Sequence, residues 1–352
     1  MAVDPNGFVF AGGPVTIQAT STAGGPSATW NDLTRAMGLF PGVAGIQAIV
    51  IDPITPANVY VLSATSAGAV LEKSADHGVT WSTLSVPIDP NYVAGALAID
   101  PVTPTNLYLA TGANGAVPGD PFVNQLWKSA DGGATWTALN PSVTGYLRGF
   151  AVDPAVPTTL FLEMSLVNNG NAPVTPGGLW RSTDGGQTFA AIATASALGG
   201  DTWYLTVDPR GSATALYAGV FTGAAVILTK SVDGGATWTV LNFGSVAEDL
   251  GAIVVDPATP STIYVTCSID PPTGSTQPNF AVVKSKDGGA TWISIANGLG
   301  GFAPLPAGFV PPAPSLAIDP AAPKTIYVGF PAATNAPAGT PSTLSMSVTG
   351  GE

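Results

Sequence analysis

The sequence predicts an all-β fold: a seven-bladed β-propeller of four-stranded antiparallel blades, the last blade lacking its outer strand. Two observations carry that prediction. Two motifs alternate along nearly all of the 352 residues, and the segments between them are short apolar runs closed by turn residues, with Gly 43 and Pro 33. Mean hydropathy is positive, at +0.34. Even so, Gly, Pro, Asp or Thr breaks every run before the roughly 18–20 apolar residues a spanning helix needs, so membrane insertion is not expected.

The first motif is an apolar run ending in Asp-Pro, then a Pro/Thr/Ser turn and a β-rich run. It reads Ile51-Asp52-Pro53 ahead of Val59-Tyr60-Val61, and Ile99-Asp100-Pro101 ahead of Leu107-Tyr108-Leu109. Further copies stand at Asp153, Asp208, Asp256 and Asp319, and a shortened one at Asp4 before Phe8-Val9-Phe10. The intervals between these aspartates are 48, 48, 53, 55, 48 and 63 residues.

The second motif is Ser-x-Asp-Gly-Gly-x-Thr-Trp. It is complete at 129–136, 231–238 and 285–292. At 74–81 His77 replaces the first glycine, and at 182–189 Phe189 replaces the tryptophan. A worn copy at 22–30 has lost its aspartate, and a last one at 347–352 stops before Thr-Trp. Paired glycines supply the positive φ of a tight hairpin. Asp76, Asp131, Asp184, Asp233 and Asp287 are expected to accept turn N–H bonds, with the Ser and Thr hydroxyls tying the strands together. Trp81, Trp136, Trp238 and Trp292 are expected to fill the gaps between blades. One carboxylate per turn is too few for Ca²⁺, which takes 6–8 oxygens, so no metal is expected.

Each repeat then holds strand A before Asp-Pro, strand B with the tyrosine, strand C entering the second motif and strand D leaving it. Strand A is nearly all apolar, as an innermost strand buried on both faces should be. The expected organisation is one domain, residues 1–352, with blades at about 1–46, 47–94, 95–147, 148–202, 203–250, 251–313 and 314–352.

Only 9% of residues are charged and the net charge is −12, with Lys+Arg 10. So few cations cannot neutralise a phosphate backbone, which argues against nucleic acid and against anionic lipid. The single Cys267 excludes an internal disulfide framework and a cysteine zinc site. No cofactor is expected. Met1-Ala2-Val3-Asp4-Pro5 carries no leader pattern and read literally gives cytoplasm. The Lys-poor, Thr/Ala/Gly/Pro-rich acidic composition instead predicts an extracellular or cell-surface protein whose leader has been removed.

The second motif resembles the Asp-box, or BNR repeat, of sialidases, two-propeller xyloglucanases, sortilin-type receptors and a photosystem II assembly factor. The whole unit, Asp-Pro-x-x-Pro-x-x-Ile-Tyr-Val followed by Lys-Ser-x-Asp-Gly-Gly-Ala-Thr-Trp, is similar to bacterial extracellular repeat proteins. The resemblance implies the propeller but mixes enzymes, receptors and scaffolds. Sialidase likeness implies an arginine cluster and an Arg-Ile-Pro signature. The chain has four arginines, Arg35, Arg148, Arg181 and Arg210, and no such signature.

Both motifs belong to one face, so ligand contacts are expected on the other, where B–C and D–A loops meet the channel mouth. Seven aspartates belong to Asp-Pro turns and five to the second motif, leaving Asp32, Asp89, Asp120, Asp201, Asp249 and Asp270 with Glu72, Glu163, Glu248 and Glu352. The D–A segments hold Asp89, Tyr92, Tyr146, Arg148, Asp201, Trp203, Tyr204, Glu248 and Asp249. These carboxylates, the arginine and the aromatics suit a sugar or a peptide, or else Trp203 and Tyr204 cap the core and the charges are solvated. Arg148 and Trp203 both fall five residues before their Asp-Pro aspartate.

A glycosidase needs two carboxylates across a cleft, and Asp201 with Asp249 is the pair the sequence offers. A Ser-His-Asp triad is not expected, because the only histidine, His77, belongs to the motif face. Long loops at 168–178, 271–279 and 298–314, the last with Phe302 and Phe309, suggest a raised apolar rim. The unfinished seventh blade exposes a strand edge suited to self-association or to a longer chain. The primary expectation is a non-catalytic extracellular module binding a protein or glycan. The alternatives are a carbohydrate-active hydrolase and a protein-assembly factor.

Overall fold

The computed structural model describes residues 1–12, 17–20, 31–33, 43–65, 68–88, 92–113, 125–139, 143, 146–165, 177–208, 215–223, 225–242, 247–269, 279–295, 315–330 and 343–347. The worn motif at 22–30, Asp89, Asp120, Asp270, residues 168–176, 271–278 and 298–314, and the end at 348–352 lie outside the described residues.

The described chain is a β-propeller of antiparallel meanders. The first unit holds β1 (Ala2–Val3), β2 (Val9–Gly12), β3 (Ile17–Thr20) and β4 (Asn31–Asp32). The second holds β5 (Val43–Ile51), β6 (Val59–Thr65), β7 (Gly68–Ser74) and β8 (Ser82–Leu84). The third holds β9 (Tyr92–Ile99), β10 (Leu107–Ala113), β11 (Gln125–Ser129) and β12 (Thr137–Leu139). The fourth holds β13 (Tyr146–Val152), β14 (Leu160–Ser165), β15 (Gly178–Ser182) and β16 (Ala190–Thr194), followed by the single turn α1 (Ala195–Leu198). The fifth holds β17 (Asp201–Val207), β18 (Leu216–Phe221), β19 (Val226–Ser231) and β20 (Thr239–Leu241). The sixth holds β21 (Ala247–Val255), β22 (Ile263–Ile269), β23 (Asn279–Ser285) and β24 (Ile293–Ser294), and β25 (Ser315–Ile318), β26 (Ile326–Phe330) and β27 (Thr343–Ser347) end the chain.

The expectation of seven separate sheets is corrected: the described strands form six. Four are four-stranded, one is three-stranded, and one is an eight-stranded sheet spanning β17 to β24. The cause is a single bridge, Val226 opposite Ala247, which lets β19 touch β21 where the innermost strand of the sixth unit begins early. The opening strands contact one another in the order β1, β5, β9, β13, β17, β21, β25 and back to β1, so they form a closed ring around the axis.

The core lies in the seams between units. In β6, Val59 and Val61 pack with Phe10 and Ile17 of the first unit, while Tyr60 and Leu62 pack with Leu107 and Leu109 of the third. Period-two alternation thus sends one strand's apolar residues into two seams, which is why strand B has no polar face. Val59, Tyr60, Val61 and Leu62 are all 1% exposed or less; each large side chain so buried contributes about 1.5–3 kcal/mol.

Among the described residues, six of the Asp-Pro aspartates fold their own turns. Asp52 Oδ1 accepts from the Ile54 and Thr55 N–H groups at 2.9 and 2.8 Å, and Oδ2 from Asn58 Nδ2 at 3.0 Å. Asp4, Asp100, Asp153, Asp256 and Asp319 likewise accept backbone N–H groups of their own turns at Oδ1, and Asp100 Oδ2 accepts from Asn106 Nδ2. The two motif turns of a unit meet: Gly132 N donates to Thr105 O at 2.9 Å and Gly288 N to Ser261 O at 2.8 Å. They therefore share one face.

Candidate functional site

The motif face is held by its own side chains. In the fifth unit Ser231 Oγ donates to Asp233 Oδ1 at 2.7 Å and accepts from Gly235 N at 2.8 Å. Thr237 contributes its N–H to Oδ1 at 2.8 Å and its hydroxyl to Oδ2 at 2.6 Å. Trp238 Nε1 closes on Gly235 O at 3.0 Å. The same bonds to the aspartate recur at Asp76, Asp131, Asp184 and Asp287. The hydroxyls therefore meet on the carboxylate, instead of bridging the two strands. These bonds, the Thr hydroxyl first, then the Thr N–H and the Ser hydroxyl, lower the carboxyls of Asp76, Asp131, Asp233 and Asp287 from 3.8 to about 2, and Asp184 further. Trp81, Trp136, Trp238 and Trp292 pack into seam clusters, as Phe189 does in its place. Among the described residues no group of three or more His, Cys, Asp or Glu is placed to hold a metal ion.

The opposite face is built differently from the loop-borne site expected. Tyr92, Tyr146 and Asp201 are the first residues of β9, β13 and β17, and Glu248 and Asp249 lie in β21, so these groups stand on the innermost strands. The expected blade limits at 47, 95, 148, 203 and 251 accordingly cut β5, β9, β13, β17 and β21. Pairing carries each strand past its apolar run toward the channel mouth, where polar residues are tolerated.

Each of these five strands also carries a bulge at the same place. The pairing skips Gln47, Gly95, Arg148, Trp203 and Gly251, each five residues before its Asp-Pro aspartate. A bulge takes its residue out of the seam-to-seam alternation and re-aims it, and such bulges gather beside functional sites. The side chains of Tyr92, Tyr146, Arg148, Glu248 and Asp249 lie outside what the structure describes. The Asp201–Asp249 pairing therefore has no described geometry.

Asp201 and Trp203 do come together. Asp201 Oδ2 accepts from Ser165 Oγ at 2.8 Å, across the seam from the fourth unit, and from Trp203 Nε1 at 3.3 Å. The Trp203 ring stacks on Phe221, with centroids 4.8 Å apart and planes 26° from parallel. Thus the carboxylate fixes the indole edge and Phe221 supports one indole face. Tyr204 turns away into the cluster of the fifth and sixth units with Leu250 and Cys267, against Gly219, so it belongs to the core.

Sequence reasoning placed neither Ser165 nor Phe221, and it left Glu163 unassigned. Glu163 is 1% exposed and lies two residues before Ser165 on the same face of β14. A Cβ on Gly149 would stand 2.5 Å from Glu163 Oε2, so that glycine makes room for the carboxylate. A buried polar residue on strand B, where the other units carry Leu62, Ala110, Gly219 or Thr266, was the available signal.

No known family profile matches the chain. A xyloglucanase of Paenibacillus sp. is 29% identical over 284 residues, which is 71% of this chain and 26% of that protein. The GH74 enzyme of Niastella koreensis superposes with a TM-score of 0.70 at 23% identity, over 93% of this chain and 50% of that one. The GH74 xyloglucanase of Xanthomonas campestris gives 0.65 at 20% identity, over 94% and 51%. The solved structures show the propeller fold. The chain spans about a quarter of that curated relative and half of those solved chains. The expectation of a non-catalytic module is overturned by these relatives, which are named as xyloglucanases and a GH74 enzyme.

Proposed function

We propose that the chain is a propeller of a carbohydrate-active glycoside hydrolase acting on xyloglucan-type β-glucans. The observation that carries this is sequence likeness over 71% of the chain to a xyloglucanase. It is supported by a carboxylate and a supported indole at the opening of an innermost strand. Asp201 is the carboxylate we assign to chemistry and Trp203 the platform for a sugar ring, since an apolar pyranose face packs on an aromatic face. Glu163 is the second acid of that seam. We count the eight-stranded sheet as two blades, seven in all, and read the turns of Asp76, Asp131, Asp184, Asp233 and Asp287 as Asp-boxes, in a secreted or surface-borne protein.

Release of reducing ends from xyloglucan tests the reading. The expected result is turnover that Asp201→Asn lowers by about 10²–10⁴-fold, the range for one acid–base group. Trp203→Ala is expected to raise KM more than it lowers kcat. Hydrolysis unchanged in Asp201→Asn would remove that residue from the chemistry, and no hydrolysis of any β-glucan by the wild type would end the proposal.

A further inference from the structure

The seam between the first and second units differs in charge from the four seams that follow it along the chain. In the second to fifth units a cation from strand C lies against the first glycine of the next unit's turn, and the lysines lie over the tyrosine of their own sheet; the seventh unit carries Met346 in that register. Lys73, Lys128 and Lys230 sit 5.2, 5.4 and 5.2 Å from the ring centres of Tyr60, Tyr108 and Tyr217. Lys230 Nζ donates to Gly288 O at 3.1 Å and Arg181 Nη1 to Gly234 O at 3.2 Å. A Cβ on Gly132, Gly234 or Gly288 would meet the preceding unit's cation at 3.2, 2.9 or 3.1 Å.

In the first unit the cation is missing. Ala19 faces Phe10 in the register where Lys73 faces Tyr60. The space is taken from the other side: the second unit's turn carries His77 in place of the glycine, at a φ of 56°. Its ring stacks on Phe8 at 4.3 Å and 12°, and its Nδ1 stands 3.5 Å from Asp4 Oδ2. Asp4 is fully buried and its Oδ1 accepts from Asn6 N and Phe8 N, while Oδ2 and His77 Nδ1, both buried, have no hydrogen-bond partner among the described residues.

Glu72 stands in the same seam. Its cross-strand partner Val61 packs on Phe10 and Ile17, and directly paired residues share a face. The residues at its position in other units are Trp127, Trp180, Thr229 and Val283, all uncharged. Glu72 is 3% exposed and its Oε2 has no hydrogen-bond partner among the described residues. The charged side chains among the described residues of the first unit are Asp4 and Asp32. On the second unit Lys73 faces the other way, onto Tyr60, and Asp52 and Asp76 are bonded within their own turns.

We propose that this seam is an acid-tightened joint: a proton on His77 closes its ion pair with Asp4, a proton on Glu72 removes a buried charge, and the two units hold together more firmly in mild acid than in mild base. Burial pushes the Glu72 carboxyl up from 4.5 to about 7. A group raised on folding contributes stability that is complete below its unfolded value and lost as pH rises through the folded one. For Glu72 that window runs from 4.5 to about 7. Protonation of His77 beside Asp4 and protonation of buried Glu72 both favour the closed seam, so the two groups act in the same direction.

Thermal unfolding of the whole chain at pH 5 and pH 8 tests this, with Glu72→Gln, His77→Gly and the double variant. His77→Gly installs the residue that the other described turns carry, at a φ that glycine adopts freely. Glu72→Gln is expected to match the wild type at pH 5 and melt about 1–4 °C higher at pH 8. His77→Gly is expected to match at pH 8 and melt lower by a similar amount at pH 5. A local readout is hydrogen-exchange protection of β2 and β3 relative to β10 and β11. That ratio should fall from pH 5 to pH 8 in the wild type and stay constant in the double variant. A double variant that keeps the wild-type dependence of melting on pH, or a wild-type ratio that does not move, overturns the joint.

Discussion

Asp233 and its four counterparts each use both carboxylate oxygens inside a single turn. Thr237→Val is expected to lower stability and raise the Asp233 carboxyl, because it deletes the hydroxyl bond that depresses it most. The five depressed carboxyls set an acid limit. Their stabilisation is present above pH 3.8 and is lost as pH falls toward about 2, so acid unfolding followed by circular dichroism should steepen in that interval. Ser231→Ala leaves the buried Gly235 N–H without its acceptor and should cost about 1–3 kcal/mol in urea unfolding. The role of these aspartates was legible because Ser, Asp and Thr recur at fixed offsets. The places of Glu72 and Glu163 were not, because which seam a strand residue enters depends on register, and register is set by pairing with a distant strand.

At the scale of elements, strand B and the turn residues were readable from apolar runs and Gly-Gly, whereas the start of strand A was not. Asp201, Thr202 and Trp203 lack an apolar pattern, yet β17 begins at Asp201 because β18 is long enough to pair with Asp201 and Thr202, leaving Trp203 in the bulge. The shared bulge was half legible. Arg148 and Trp203 stand at one offset in the sequence, but equal offsets do not reveal an unpaired residue. Ser165 and Phe221 reach the candidate site from neighbouring strands, so no spacing near Asp201 announces them. The second glycine of each turn marks where units touch. A Cβ on Gly133, at φ 92°, would stand 2.6 Å from Leu84 Cδ1 of the preceding unit. Gly133→Ala should therefore cost about 1–3 kcal/mol from backbone strain, measured by urea unfolding, with more added by the collision.

Across the whole molecule, the repeat was legible because its period is far longer than any local pattern. The sheet count changed because a single bridge between β19 and β21 joins two meanders. Function was the least legible level: the motifs occupy the turns of one face, and the groups of the other face differ from unit to unit. Cys267, wholly buried in the seam of the fifth and sixth units, offers a probe of the intact ring. Burial raises its thiol from 9.0 to about 12, so it should resist thiol reagents in the native protein. Its labelling rate in urea should follow the loss of circular dichroism. Fast labelling of the native protein would show that the seam opens locally.

The cations that lie on neighbouring turns all run the same way around the ring, from strand C of one unit to the turn of the next. From the third unit to the fifth, each offers a charge to its successor and receives one from its predecessor. A repeat wired in this sense is compatible with its own copy: duplicating or deleting an internal unit leaves every remaining lysine or arginine with a turn to meet. Gene rearrangement can thus lengthen or shorten the series without stranding a buried charge. The first unit, with Ala19 and a histidine reaching back from its neighbour, marks where that interchangeability stops.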